Sequence, residues 1–175
     1  YPVPSDTSGN AVDVILIQIR TDSTTVLDTA YAWLMQDGTI RDFQTGQKNY
    51  AVLCGLVPGN YYIAVMHRNH LTIMYSDSVT LDNTPPPPID LTNVINIYGG
   101  GVGFLGDGPY GMWAVNARNS DQEVNGNDLY DVTVDRYLLL TGYNLSDVNL
   151  SGNVNANDFN ITSYNNDQLY WSTAP

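Results

Sequence analysis

The apolar residues of this 175-residue chain recur mostly with a period of two, in short runs separated by turn signals. The first run, AVDVILIQIR, places Val14 and Leu16 on one face and Ile15, Ile17 and Ile19 on the other. Both faces are apolar, so this strand asks for burial on both sides. TTVLDTAYAWLMQ follows, closed by the turn signal Asp37-Gly38, and then TIRDF. YAVLCGL leads into the turn Pro58-Gly59-Asn60, after which YYIAVMHR and LTIMYSDSVTL complete the series. About seven short strands with turns between them predict an immunoglobulin-like β-sandwich over residues 11–84.

The flanking segments break this pattern. YPVPSDTSGN, residues 1–10, has prolines and no periodicity, which predicts an extended or mobile leader. Pro85 to Pro88 cannot continue a sheet and favours a stiff polyproline spacer, opening a Pro/Gly-rich connector over residues 85–112. Within it, GGGVGFLGDGPYGMW lacks the Lys-Ser/Thr of a phosphate-binding loop, so no nucleotide site is expected.

In residues 113–175 the period changes. NDLYDVTVDRYLLLTG has Leu129, Val132, Tyr137 and Leu140 at roughly helical spacing, with Asn127 or Asp128 as cap. NANDFNITSYNND reads as a shorter version of it. The fold class expected is therefore mainly β with a small helical part built on an internal repeat.

Composition sharpens the setting. Lys and Arg number 6 against 18 Asp and Glu, a net charge of −12, with Glu123 the single glutamate and Lys48 the single lysine. Nucleic acid and anionic membrane, which need clustered Lys and Arg, are excluded as partners. The acidity suits bound cations, and it equally suits simple solubility. No stretch approaches the ~20 apolar residues of a membrane span. The single cysteine, Cys54, lies in an apolar run and is expected to be a buried small hydrophobe. The profile is that of an extracellular protein; beginning at Tyr1 without a signal-peptide pattern, it is expected to be a mature, processed form or a trimmed one.

The repeat carries the chemistry. In DVNLSGNVNAND, Asp147, Asn149 and Ser151 stand at loop positions one, three and five, and Gly152 stands at six, where a sharp turn is needed. Asn153 offers its backbone carbonyl from position seven, Val154 anchors the loop in the core, and Asp158 closes it at position twelve. This alternation points oxygens at one centre, as a calcium ion requires. Aligning VNGND with VNAND gives a first copy thirty residues earlier, with Asn119 at three, Asp121 at five, Glu123 at seven and Asp128 at twelve. There position one is Ala117, which cannot bind unless Asn116 substitutes, and position six is Gln122. Two capped helices with local Asx turns would produce a similar pattern without any metal.

With Asp rather than Glu at position twelve and one helix following each loop, the second copy resembles the dockerin type I repeat. Asp147, Asn149, Gly152, Val154, Asn155 and Asp158 match that motif, and Ser151 departs from it. The resemblance implies calcium bound by Asp147, Asn149, Ser151, Asn153 and Asp158, with Asn119, Asp121, Glu123 and Asp128 as a degraded second set. A β-domain with PGNYYIAVMHRNHL and YGMW segments ahead of such repeats also resembles secreted surface proteins of Bacteroidetes-type bacteria. That implies architecture and location more than activity.

Other chemistry is thinly represented. His67 and His70 are spaced as metal ligands could be, or as residues of a local turn. No nucleophile motif accompanies them and no opposed carboxylate pair can be located, so no enzyme is expected. Trp33, Trp113 and Trp171 with thirteen tyrosines could form a sugar platform or simply core and rim. Asn144, Asn149 and Asn160 lie in Asn-x-Ser/Thr sequons, and Asp28-Thr29-Ala30 and Asp77-Ser78-Val79 resemble O-glycosylation sites, so attached glycans are a further expectation.

Two functions follow. One is a calcium-stabilised structural subunit of an extracellular, pilus-like fibre, a homo-oligomer in which the N-terminal leader or AVDVILIQIR completes a neighbour's β-domain by strand donation, unless AVDVILIQIR pairs within its own domain as an ordinary first strand. The other is a non-catalytic binding module for a cohesin-type protein or a carbohydrate.

Overall fold

The computed structural model describes residues 10–82, 84–106, 108–117 and 121–175; the leader ahead of residue 10 and Asn119 lie outside them. The doubly apolar run forms β1, Ala11–Arg20. It pairs antiparallel with β2, Val26–Met35, in a register that sets Ile15 opposite Ala32 and Ile17 opposite Ala30. β3 is Ile40–Asp42, β4 Gly59–His67 and β5 His70–Met74. The sheet order is β3-β2-β1-β4-β5, and β6, Val79–Leu81, pairs with the start of β4. β1 is thus a central strand, and Val14, Ile15, Ile17 and Ile19 are all buried, which is why its sequence is apolar on both faces.

Two predicted runs come out differently. YAVLCGL forms no strand, and Cys54 is exposed rather than buried. Gly55 turns the backbone left-handed at φ 80°, and the Val52 N–H donates to the Asp42 carboxylate at 2.9 Å instead of to a strand. Part of the glycine-rich stretch, read as a loop, is a small sheet of β7, Val102–Phe104, and β8, Tyr110–Met112. Glycine there serves close approach: a Cβ on Gly101 would lie 2.3 Å from Thr173 Oγ1.

The repeat region supplies α1, Gly126–Tyr137, and α2, Ala156–Gln168. The caps are Asn125 and Asn155, two and three residues ahead of the predicted Asn127 and Asp128 in the first helix. Asp128 is instead the third helical residue, closing a capping box back onto the Asn125 N–H, and Asp158 does the same for Asn155. Neither helix is long and apolar enough to cross a membrane. The architecture is mainly β with two helices, consistent with a β-sandwich.

The chain groups into two compact units. The first comprises Tyr1–Met66, Ile73–Gly111 and Thr173–Pro175, and contains the bulk of the large sheet. Much of its acidity is spent on turns. Asp22 accepts from the Thr24 and Thr25 N–H groups at 2.8 and 2.7 Å, Asp37 from Thr39, and Asp90 from Thr92. The second comprises His67–Thr72 and Met112–Ser172. Its core is Leu71, Val115, Ala117, Val124, Val132 and Val148, with Trp113, Phe159, Ile161 and Tyr170 packed against it.

Candidate metal centre

Within the second unit the two loop–helix copies are related residue by residue at a spacing of thirty. Val132 and Thr162 are both fully buried at 0% exposure, and Asp135 and Asn165 are both buried. Gly152 is left-handed at φ 84°, and Gln122, its counterpart, is left-handed at φ 64°. Each loop pairs with the segment that follows the other helix. Val154 N–H donates to Leu140 O at 2.9 Å and Gly142 N–H to Gly152 O at 2.8 Å. In the other copy, Val124 N–H donates to Tyr170 O at 2.8 Å and Ser172 N–H to Gln122 O at 2.7 Å. The bridges Thr141–Asn153 and Glu123–Trp171 complete a crossed, pseudo-two-fold arrangement.

The second loop gathers oxygens. Asp147 Oδ1 and Asn149 Oδ1 both accept from the Ser151 N–H, at 2.9 and 3.0 Å. Ser151 Oγ lies 3.5 Å from Asp147 Oδ1 and 3.3 Å from the Asn153 carbonyl oxygen. Asp147 Oδ2 accepts from the Gly152 N–H at 2.8 Å, which the left-handed glycine makes reachable. Asp158 is fully buried; its Oδ1 takes the Asn149 N–H at 3.2 Å and its Oδ2 the Asn155 N–H at 2.9 Å. The side-chain oxygens of residues 147, 149 and 151 and the carbonyl of 153 thus crowd together, while Asp158 ties the helix start to the loop. Among the described residues no three His, Cys, Asp or Glu side chains cluster as they could to hold a metal ion. The oxygens here come also from Asn, Ser and a carbonyl, a donor set suited to a hard cation.

The first loop is differently built. Ala117 offers no side-chain ligand, and its N–H donates to Asp128 Oδ1 at 2.7 Å. Asp121 is occupied by the Glu123 N–H and the Asn125 amide, each at 3.1 Å. Gln122 turns its Oε1 away to the Thr72 N–H, at 2.9 Å. Burial pushes the Asp128 carboxyl above its ordinary value; hydrogen bonds from Asn125 and Ala117 offset part of this, and the nearby Asp121 charge adds to it. Asn116 is buried, and among the described residues its Oδ1 accepts no hydrogen bond, which leaves one oxygen beside Ala117 without a described donor.

The remaining candidates are dispersed. His67 and His70 do approach, Nδ1 to Nδ1 at 2.8 Å, and Asn69 Oδ1 lies 2.9 Å from His70 Nδ1, the arrangement of a hydrogen-bonded turn. Trp33 stacks on Phe43 in the first unit, Trp113 stacks on Tyr170 in the second, and Trp171 is exposed. In two sequons the hydroxyl is buried and engaged: Ser146 donates to Asp135, following Asn144, and Thr162 donates to the Asp158 carbonyl, following Asn160. Sequence reasoning missed Asn69 and Arg68, which reach the second loop from the β4–β5 hairpin; no local signal in HRNH distinguishes them from ordinary turn residues.

No family model matches the chain, and no curated protein matches it. A solved structure similar to it is a type II cohesin–X-dockerin complex from Acetivibrio cellulolyticus, an N-terminal interface mutant. The identity is 16%, over 94% of this chain and 88% of that one, at a TM-score of 0.46. Likeness at that level carries nothing about what this chain does.

The expected self-assembly is corrected. AVDVILIQIR could complete a neighbour's sheet or pair within its own domain; β1 does the latter, flanked by β2 and β4 of its own chain with no free edge to donate.

Proposed function

We propose that this protein is a non-catalytic protein-binding module of a secreted protein, whose second unit is a dockerin-like repeat pair held by calcium. The carrying observation is the crowding of the Asp147, Asn149, Ser151 and Asn153 oxygens in a loop that is one half of a pseudo-two-fold pair. Asp147, Asn149, Ser151, the Asn153 carbonyl and Asp158 would hold the ion, which supplies the positive charge that ties loop to helix. With Ser151 in place of a carboxylate, an affinity of the extracellular kind is expected, a Kd of ~10⁻⁴–10⁻³ M. The first loop lacks its first ligand, so one ion per chain is expected.

Docking is assigned to the outer faces of the repeat. Tyr137 is 86% exposed and Leu139 78%, and Tyr130, Leu138, Tyr164, Leu169 and Trp171 are exposed as well. Large apolar side chains left in water on one small unit mark an interaction surface. A cohesin-type domain is the partner this reading names. Calorimetric titration of the full chain with calcium, followed by binding to purified cohesin-type domains with and without chelator, tests it. Calcium uptake with calcium-dependent binding is the expected result; absence of calcium uptake would sink the proposal.

A further inference from the structure

The turn of the β4–β5 hairpin, residues 67–72, belongs to the second unit and touches both loops of the repeat pair. Asn69, at 0% exposure, donates from its single Nδ2 group to two carbonyl oxygens, those of Leu145 and Asp147, each at 2.9 Å. Its own orientation is fixed from two other directions. Its backbone carbonyl accepts the Val115 and Asn116 N–H groups at 2.8 and 3.1 Å, and its Oδ1 lies 2.9 Å from His70 Nδ1. Beside it, Arg68 donates to the Asn144 carbonyl and stacks its guanidinium 4.3 Å from the Tyr143 ring centre.

Holding the carbonyls of residues 145 and 147 together fixes the rotation of the peptide segment between them. That rotation aims the Asp147 carboxylate into the loop, where it meets the Ser151 and Gly152 N–H groups. We infer that Asn69 is a positioning residue of the calcium loop, supplied by a hairpin 78 positions upstream of Asp147 and outside the repeat itself. The inference rests on the calcium reading above. It makes ion binding and hairpin docking two sides of one equilibrium: whatever the hairpin adds to affinity, the ion returns as order in the hairpin. On the other loop, the Thr72 backbone N–H donates to the Gln122 side-chain Oε1, so the same hairpin also contacts the copy whose first ligand is missing.

The test compares Asn69→Ala with Asn165→Ala in the full chain. Asn165 is also buried and also donates from Nδ2 to a carbonyl, that of Ala114, at 2.9 Å, so it reports generic loss of packing. At a temperature where both variants are folded, Asn69→Ala should bind calcium roughly tenfold or more weakly and Asn165→Ala within about threefold of the parent. Equal affinities in Asn69→Ala and the parent, or equal losses in both variants, would overturn the inference while leaving the calcium reading standing. If the parent takes up no calcium, the calcium reading fails, and hydrogen exchange in chelator then decides the positioning. Faster exchange of the Ser151 and Gly152 amides in Asn69→Ala than in Asn165→Ala supports it, and unchanged exchange refutes it. Should Asn69→Ala not fold, the parent alone suffices. Calcium should slow exchange of the Leu71 and Thr72 amides, bonded to Trp113 O and Gln122 Oε1, more than that of β1 amides, and no such difference would overturn it.

Discussion

Gln122 and Gly152 occupy the same place in the two repeats, and both have left-handed backbones, at φ 64° and 84°. Only the glycine is suited to that conformation; a side chain there costs about 1–2 kcal/mol. Gln122 offsets the strain by accepting the Thr72 N–H at 2.9 Å, a bond glycine could not make. Substitution in either direction should therefore destabilise the protein. Gly152→Ala has open space for its Cβ, so it should lose only the conformational term, about 1–2 kcal/mol. Gln122→Gly relieves strain but strands the Thr72 N–H, and should still destabilise by about 1 kcal/mol. Urea unfolding of both variants, compared through their midpoints, measures this. A Gln122→Gly variant more stable than the parent would show that the Thr72 bond contributes little.

Chelation should soften the protein and Asp147→Ala should remove the effect. Asp147 lends one carboxylate oxygen to the crowded set and the other to the Gly152 N–H, so losing it dismantles both the ligand group and the turn. At calcium a hundredfold above Kd, linkage stabilises the folded state by about 2.7 kcal/mol. Scanning calorimetry with calcium and with chelator should show a higher Tm with calcium for the parent and coincident curves for Asp147→Ala. Calorimetric stoichiometry near one ion per chain would locate binding in the second loop, and two ions would draw attention to the Asn116 Oδ1.

What could be read in advance follows from how local each signal was. β1 and β2 were legible because short runs rich in β-branched and apolar residues, bounded by turn signals, record strand and burial locally, and in β1 the apolar residues on both faces record a central place in the sheet. The two helices were legible because VNGND and VNAND repeat, and a repeat needs no knowledge of neighbours. YAVLCGL misled because apolar content alone does not make a strand: Gly55 and the Asp42 carboxylate claim its backbone, and neither is a pattern of period two. The helix caps were placed late because Asp128 looks like a cap, while its carboxylate actually folds back to Asn125 from the third helical position. Asn69 was invisible for a different reason. Its partners lie 76 and 78 positions away, and one buried amide in a turn carries no trace of them.

Asp42 should make the first unit acid-sensitive. It is 3% exposed; burial raises its carboxyl, but hydrogen bonds from Thr45, Val52 and Gln44 outweigh that and leave it below its ordinary value. Asp37, bonded by the Thr39 hydroxyl and N–H and by Lys48, is held at about 2, and Asp22, bonded by Thr24 and Thr25, likewise at about 2. A carboxyl depressed by folding stabilises the native state above its unfolded value, near 3.9, and that contribution vanishes as pH falls through the folded value. Stability should therefore decline from about pH 5 toward pH 2. Asp42→Asn should cost about 1–3 kcal/mol at pH 6, by losing the charge-assisted bonds to Thr45 and Val52. It should also flatten the acid decline. Thermal melts of parent and variant across that range decide; parallel curves would mean that Asp42 does not carry the effect.

Cys54 should react in the native protein. The apolar run around it suggested burial, but the residue is exposed, in a segment where Val52 and Val57 are also open to solvent. The segment is not bare coil: the Asp42 carboxylate holds the Val52 N–H at 2.9 Å, and the Tyr61 hydroxyl donates to the Val57 carbonyl at 2.5 Å. Both anchors sit beside the thiol rather than on it, so modification need not disturb them. A thiol titration with a disulfide reagent in the absence of denaturant should therefore consume one equivalent per chain. The alkylated protein should keep its Tm within a few degrees, because no buried contact is lost. Reaction only after denaturant is added would return Cys54 to the interior and YAVLCGL to the sheet.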